Sequence, residues 1–164
     1  MQKRTLCTVL LGALLIGACM KPPTIPQTPQ LDLSLPVAVE EEVVWNSADY
    51  RGKPVLVAIM ATWCPWCKRS LTALDATTEA YKDKVEVVGV FVEDDLAPVK
   101  TVQQEHQIKS KILYQGDEAA HELQAQGFPH IMLFDKNHKL VKVWSGYSPT
   151  LAEEYKQEIE KLLK

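Results

Sequence analysis

The chain has 164 residues, a length that suits one domain. Apolar residues make up 46% and charged residues 24%, which excludes a disordered or collagen-like chain. Net charge is -3 with no concentrated basic stripe, so a nucleic-acid partner has no electrostatic footprint.

The N-terminus reads as an address. Lys3 and Arg4 precede an apolar run over residues 6–18, interrupted by Thr8. A spanning helix takes about 20 apolar residues, so this run is too short and reads as a secretory signal. Its end, Leu15-Ile16-Gly17-Ala18-Cys19, resembles the bacterial lipoprotein signal, in which cleavage falls before a cysteine that carries diacylglycerol. A plain signal peptide, or a short anchor, with an incidental cysteine is the alternative. On the lipoprotein reading residues 1–18 are removed together with Cys7, and the lipidated Cys19 holds the protein on a membrane outside the cytoplasm. Several acyl chains anchor stably, at about 0.8 kcal/mol per buried methylene. Met20 after Cys19, by the same resemblance, favours the outer over the inner membrane of a Gram-negative cell.

Residues 19–39 contain Pro22, Pro23, Pro26, Pro29 and Pro36. So many prolines predict an extended, semi-rigid tether, with the folded domain spanning 40–164. Within it, residues 42–45 predict a short strand and the unbroken apolar run 54–61 a strand buried on both faces. Residues 64–81 predict a helix with Leu71, Leu74, Thr78 and Tyr81 on one face. A second buried strand follows at 85–92. Asp95 is placed to cap a helix with Pro98 in its first turn and Leu96, Val99 and Val102 inward. A short helix over 117–126 ends at Gly127. Residues 131–134 and 140–144 flank a turn and predict an antiparallel hairpin. Ser148-Pro149 opens a last helix with Leu151, Tyr155, Ile159 and Leu162 inward. The alternation gives an α/β fold: a central mixed sheet with a terminal β-hairpin, flanked by helices.

The chemistry lies where the first buried strand turns into its helix, at Trp63-Cys64-Pro65-Trp66-Cys67. Two residues between cysteines in a first helical turn bring the thiols within bonding distance. Pro65 suits that turn because its missing N–H would have no helical partner. Cys64 meets unpaired backbone N–H groups and the positive helix end, which favour a thiolate; such sites lower a thiol pKa from about 8.5 to roughly 3.5–7. Lys68 and Arg69 add positive potential. Cys64, toward the exposed edge, is the expected nucleophile, and Cys67, one turn inward, the resolving thiol. A zinc site would need four ligands, and no second cysteine pair or His-x-His array is present. A static disulfide closing so short a loop would contribute little stability.

From about residue 41 to 164 the chain resembles the thioredoxin fold, specifically the membrane-anchored TlpA/ResA-like thiol-disulfide oxidoreductases in lipoprotein form. The matching residues are Tyr50-Arg51-Gly52-Lys53-Pro54-Val55-Leu56-Val57, then Ala61-Thr62-Trp63-Cys64-Pro65-Trp66-Cys67, then Gly127-Phe128-Pro129 and Gly146. The resemblance implies that Pro129 is a cis-proline opposite the cysteines and that Phe128 pairs its backbone with an extended substrate segment. It implies catalytic Cys64 and Cys67 with a redox-active Cys64–Cys67 disulfide in place of any cofactor or metal; Trp63, Pro65, Trp66, Phe128, Pro129 and His130 are the candidate substrate-binding or supporting residues around the pair.

Three departures qualify it. Thioredoxin has a buried acid where this chain has Ala58; Glu93 is a candidate proton acceptor in its stead, against the preferred reading of a surface acid beside Asp94 and Asp95. Pro65-Trp66 replaces Gly-Pro between the cysteines, and Trp66 becomes a candidate substrate contact. His130 follows the cis-proline, where a protonated ring would favour the Cys64 thiolate, against a solvated or hydrogen-bonded ring. His106, His121 and His138 read as surface residues, Trp45 and Trp144 as packing, and Glu40-Glu41-Glu42 as a solvated entry.

The function expected is a lipid-anchored monomer that reduces or exchanges protein disulfides. Its partners are protein thiol and disulfide substrates and an upstream electron donor or acceptor. Alternatives are a dithiol oxidase donating its disulfide, a copper chaperone using Cys64, Cys67 and His130, and a non-catalytic interaction module.

Overall fold

The computed structural model describes residues 28–40 and 42–164. The leader, Cys7, Cys19 and Glu41 therefore lie outside the described residues. In chain order the elements are β1 (Ser34–Pro36), β2 (Val44–Asn46), a 3-10 turn (Ser47–Tyr50), β3 (Val55–Met60), α1 (Pro65–Ala80), β4 (Glu86–Phe91), α2 (Leu96–Glu105), β5 (Lys111–Leu113), α3 (Asp117–Glu122), β6 (His130–Phe134), β7 (Leu140–Ser145) and α4 (Leu151–Leu162).

β3 consists of Val-Leu-Val-Ala-Ile-Met, and such a strand is stable only where both its faces are covered. It sits third in a five-stranded sheet of order β5-β4-β3-β6-β7. β4 and β5 run parallel to it, while β6 and β7 form the antiparallel hairpin. Alternate residues of each inner strand face opposite layers. Leu56, Ala58 and Met60 join Ile131, Leu133 and Phe91 beneath α1, α2 and α4; Val55, Val57 and Ile59 join Met132, Phe134, Val88 and Val90 on the other side. Gly89 is the one bare position in β4. A Cβ there would come 2.7 Å from Met60 Cε and 2.8 Å from Ile112 Cδ1, so the missing side chain is what lets these two pack.

The second layer corrects the tether. Residues 28–39 are not a free spacer: Leu31, Leu33, Leu35 and Val37 are buried against the sheet with Trp45 and α3. β1 pairs antiparallel with β2, and the Leu33 amide donates to Ser47 Oγ at 3.0 Å. The prolines masked a period-two apolar pattern, which is a strand signal. Pro36 is tolerated because this two-stranded piece is an edge.

Other boundaries moved less. α3 stops at Glu122 rather than running to residue 126, and Gln124 adopts a left-handed φ of 57°. α4 begins at Leu151, three residues after Ser148. β5 was not anticipated, since three residues are too few to show a period. Trp45 and Trp144 pack inside as expected: Trp45 stacks on Tyr50 at 5.4 Å, and Trp144 meets Tyr155 edge-on at 4.9 Å. Glu40 and Glu42 are exposed.

Candidate active site

The strand-to-helix turn builds the site. β3 ends at Met60, residues 61–63 turn out of the sheet, and Cys64 becomes the N-cap of α1 in extended conformation (φ -87°, ψ 113°) with Pro65 in the first turn. An N-cap side chain accepts a bond from a free N–H of the first turn. Here Cys64 Sγ does so, accepting from the Cys67 amide at 3.2 Å. The amide and the positive end of α1 thus converge on the sulfur that would carry charge as a nucleophile.

Opposite, Gly127 turns at φ 154° and the Phe128–Pro129 bond is cis, as the resemblance implied. This brings the Phe128 carbonyl 3.6 Å from Cys64 Sγ, where it accepts from the thiol. Cys64 is not at an exposed edge: it is 4% accessible and Cys67 1%. The thiol turned inward because both of its partners, one amide and one carbonyl, lie on the protein side. Exposure belongs to the flanking rings instead, with Trp63 at 70% and Trp66 at 51%. Trp63 sits edge-on to Phe128 at 5.9 Å. Trp66 stacks on Tyr147 at 5.8 Å, and the Arg69 guanidinium lies 4.6 Å from its centroid. Arg69 is therefore a stacking partner of Trp66 as well as a positive charge near the helix start. The Trp66–Tyr147 pairing was not legible from sequence, as 81 positions of chain separate the two rings.

The preferred surface reading of Glu93 fails. Its Oε1 accepts from the Thr62 amide at 2.7 Å and the Thr62 hydroxyl at 2.8 Å, and its Oε2 is buried without a partner among the described residues. It lies two residues past β4, whose last residue Phe91 pairs with Met60, so parallel register delivers residues 62 and 93 side by side. Burial foremost, then the Cys64 sulfur and the Glu93 charge, push the Cys67 thiol pKa up. Cys67 is therefore a neutral thiol at rest, with a carboxylate nearby.

His130 does not supply a positive charge. It opens β6 between Ile59 and Ser145, is 5% accessible, and its Nδ1 lies 3.5 Å from Ser145 Oγ. Burial pushes its pKa below the usual 6.5, so the ring is neutral at pH 7. Nor do Cys64, Cys67 and His130 converge as a metal-binding group; none of three or more such side chains exists among the described residues. Two results are expected of His130→Ala. The pH dependence of Cys64 alkylation is unmoved, and a shift of half a unit or more would restore the charge reading. Stability also changes with pH. The folded pKa lies below the unfolded one, so the wild type is undiminished above about pH 6.5 and loses stability as pH falls below it. The variant's denaturation midpoint falls less steeply over that range. His138 is a further correction: it is fully buried, held in the turn at φ 63° with its carbonyl accepting from Leu31 N at 3.1 Å. His106 and His121 are exposed as expected.

Residues 26–162 match the family description Redoxin. The chain belongs to the redoxin family. Among proteins similar to this redoxin is the thiol-disulfide oxidoreductase ResA of Bacillus thuringiensis, 25% identical over 118 residues covering 71% of this chain; the chain spans 65% of that protein's length. The thiol:disulfide interchange protein DsbE of Pseudomonas aeruginosa is 27% identical, covering 87% of this chain and 90% of that protein. The crystal structure of a putative thiol:disulfide interchange protein DsbE from Chlorobium tepidum superposes with a TM-score of 0.75, at 21% identity over 83% of this chain and 96% of that one. The shared fold is the thioredoxin fold, so the mixed sheet with its terminal hairpin and flanking helices is the architecture the motifs implied. No helix among the described residues of this redoxin is long and apolar enough to cross a membrane.

Proposed function

We propose that this protein is an extracytoplasmic thiol-disulfide oxidoreductase, held at a membrane by lipid on Cys19, that reduces or exchanges disulfides in protein substrates. The observation that carries the reading is Cys64 Sγ as N-cap of α1, flanked by the carbonyl of Phe128 next to a cis-proline. A dithiol placed this way is supported as a reactive pair by the amide and helix end on its outer sulfur. The family and the names of the relatives support the same chemistry.

In the reductive direction the Cys64 thiolate attacks a substrate disulfide, forming a mixed disulfide and releasing one substrate thiolate. The Cys67 thiol passes its proton to the Glu93 carboxylate. Its sulfur then attacks Cys64 Sγ, closing the Cys64–Cys67 disulfide and releasing the second substrate thiolate. The substrate gains two electrons, the protein loses two, and an upstream dithiol restores it. Trp63 and Trp66 give an incoming chain exposed aromatic surface beside an otherwise buried pair.

Insulin reduction with a dithiol donor tests the activity. The wild type accelerates it, and Cys64→Ser is indistinguishable from no protein; equal rates would sink the assignment. Equilibration against glutathione buffers tests the direction. A potential near -270 mV supports reduction, and one near about -120 mV would make the protein a dithiol oxidase instead.

A further inference from the structure

Glu93 is held unevenly. Both hydrogen bonds it accepts fall on Oε1, and both come from one residue, Thr62, through its backbone amide and its hydroxyl. Oε2 is buried with no partner among the described residues. A carboxylate tied at one oxygen cannot exchange its two oxygens by rotation, so the untied oxygen keeps one orientation. Thr62 stands two residues before Cys64, so the clamp and the nucleophile share one turn of chain.

We propose that Thr62 is a positioning residue: its amide and hydroxyl clamp Glu93 Oε1 and so present Oε2 as the atom that takes the proton from Cys67. The inference rests on Glu93 being the proton acceptor of the resolving step. In that step the Cys67 S–H bond breaks, the proton goes to Oε2, and the electron pair stays on the sulfur, which attacks Cys64 Sγ as the Cys64–substrate S–S bond breaks and the substrate thiolate leaves. No oxidant beyond the substrate disulfide is needed. Cys67 on α1, itself beside Cys64, faces Glu93, and Asp94 and Asp95 follow it on its own segment. A threonine used only to end the strand would need neither bond. The backbone amide survives any substitution, so the hydroxyl is the part that identity controls.

The test is a stopped-flow reaction of the reduced full chain with excess aromatic disulfide. The slow, concentration-independent phase is release of the second aromatic thiolate by Cys67. Its acid limb, followed across pH, reports the carboxylate. Glu93→Gln abolishes that limb. In Thr62→Val the limb moves to higher pH by about one unit, the size expected when one of two hydrogen bonds to a charged carboxylate is lost. Thr62→Ser, which keeps the hydroxyl, returns to the wild-type limb. Thr62→Ala serves as a second hydroxyl-free variant should valine not fold. If Thr62→Val superimposes on the wild type while Glu93→Gln loses the limb, the role of Thr62 is overturned and that of Glu93 stands. If Thr62→Ser behaves as valine does, the hydroxyl is not the agent and the proposal falls. If Glu93→Gln keeps the limb, the acceptor itself is misassigned, and the inference goes with it.

Discussion

With Cys67→Ser the reaction halts at the mixed disulfide, and turnover falls by at least about a thousandfold. Cys67 lies in the first turn of α1, its amide already bonded to Cys64 Sγ. An intramolecular thiol so placed has an effective molarity that can reach roughly 10⁵ M or more, far above any external thiol. Serine preserves the size of the side chain and supplies no nucleophile for sulfur. Substrates therefore accumulate on Cys64 and appear as higher bands on a non-reducing gel, removable by dithiothreitol. Cys64→Ser in the same cells captures none. Trapped species that carry disulfides in their own fold identify substrates for reduction. Retained turnover, or adducts that form equally on Cys67, would invert the assignment of nucleophile and resolving thiol.

Removing residues 28–39 is expected to unfold much of the second apolar layer, although the prolines mark this stretch as a spacer. Leu31, Leu33, Leu35 and Val37 are all buried there. Leu33 is the best single probe, because its amide donates to Ser47 Oγ at 3.0 Å and its carbonyl accepts from Ser47 N at 2.9 Å. Those backbone bonds hold the chain in place when the side chain is shortened, so the cavity cannot readily collapse. Leu33→Ala then costs about 2–5 kcal/mol, and a chain starting at Glu40 loses more than any one such substitution. The denaturant midpoint measures both, against a chain starting at Thr28. A midpoint unchanged by the deletion would return the segment to the status of a tether.

Strongly periodic or wholly apolar segments were legible in the sequence. β3 announced itself by an unbroken apolar run and β4 by a valine-rich one, α1 by the spacing of Leu71 and Leu74, and the placement of the cysteine pair by its position at a strand-to-helix junction. What escaped detection depended on tertiary context. β1 hid its alternating leucines among prolines, and β5 is three residues long. His138 looked like a turn residue, yet the N-terminal segment packs over that turn through Leu31. Glu93 looked like one of three surface acids. Only the parallel pairing of β3 with β4 brings it to Thr62, and no local pattern encodes a partner 31 residues away. Cys64 was misjudged in a different way. Its place at the helix start followed from local sequence, but its accessibility was set by the Phe128 carbonyl in the loop before β6.

The parallel pairing of Met60 with Phe91 has a consequence for how such a protein can vary. The dipeptide between the cysteines hangs from the start of a helix and touches no strand partner, so it can be exchanged without disturbing the sheet. The acid is different, because it reaches the site only through strand alignment. Inserting or deleting one residue in either strand would carry it to the opposite face while leaving the cysteine motif intact. The dipeptide is thus open to change by point substitution, whereas the place of the acid is inherited with the strand pairing. Grafting the motif onto another strand-helix junction would transfer the cysteine pair without the acid beside Thr62.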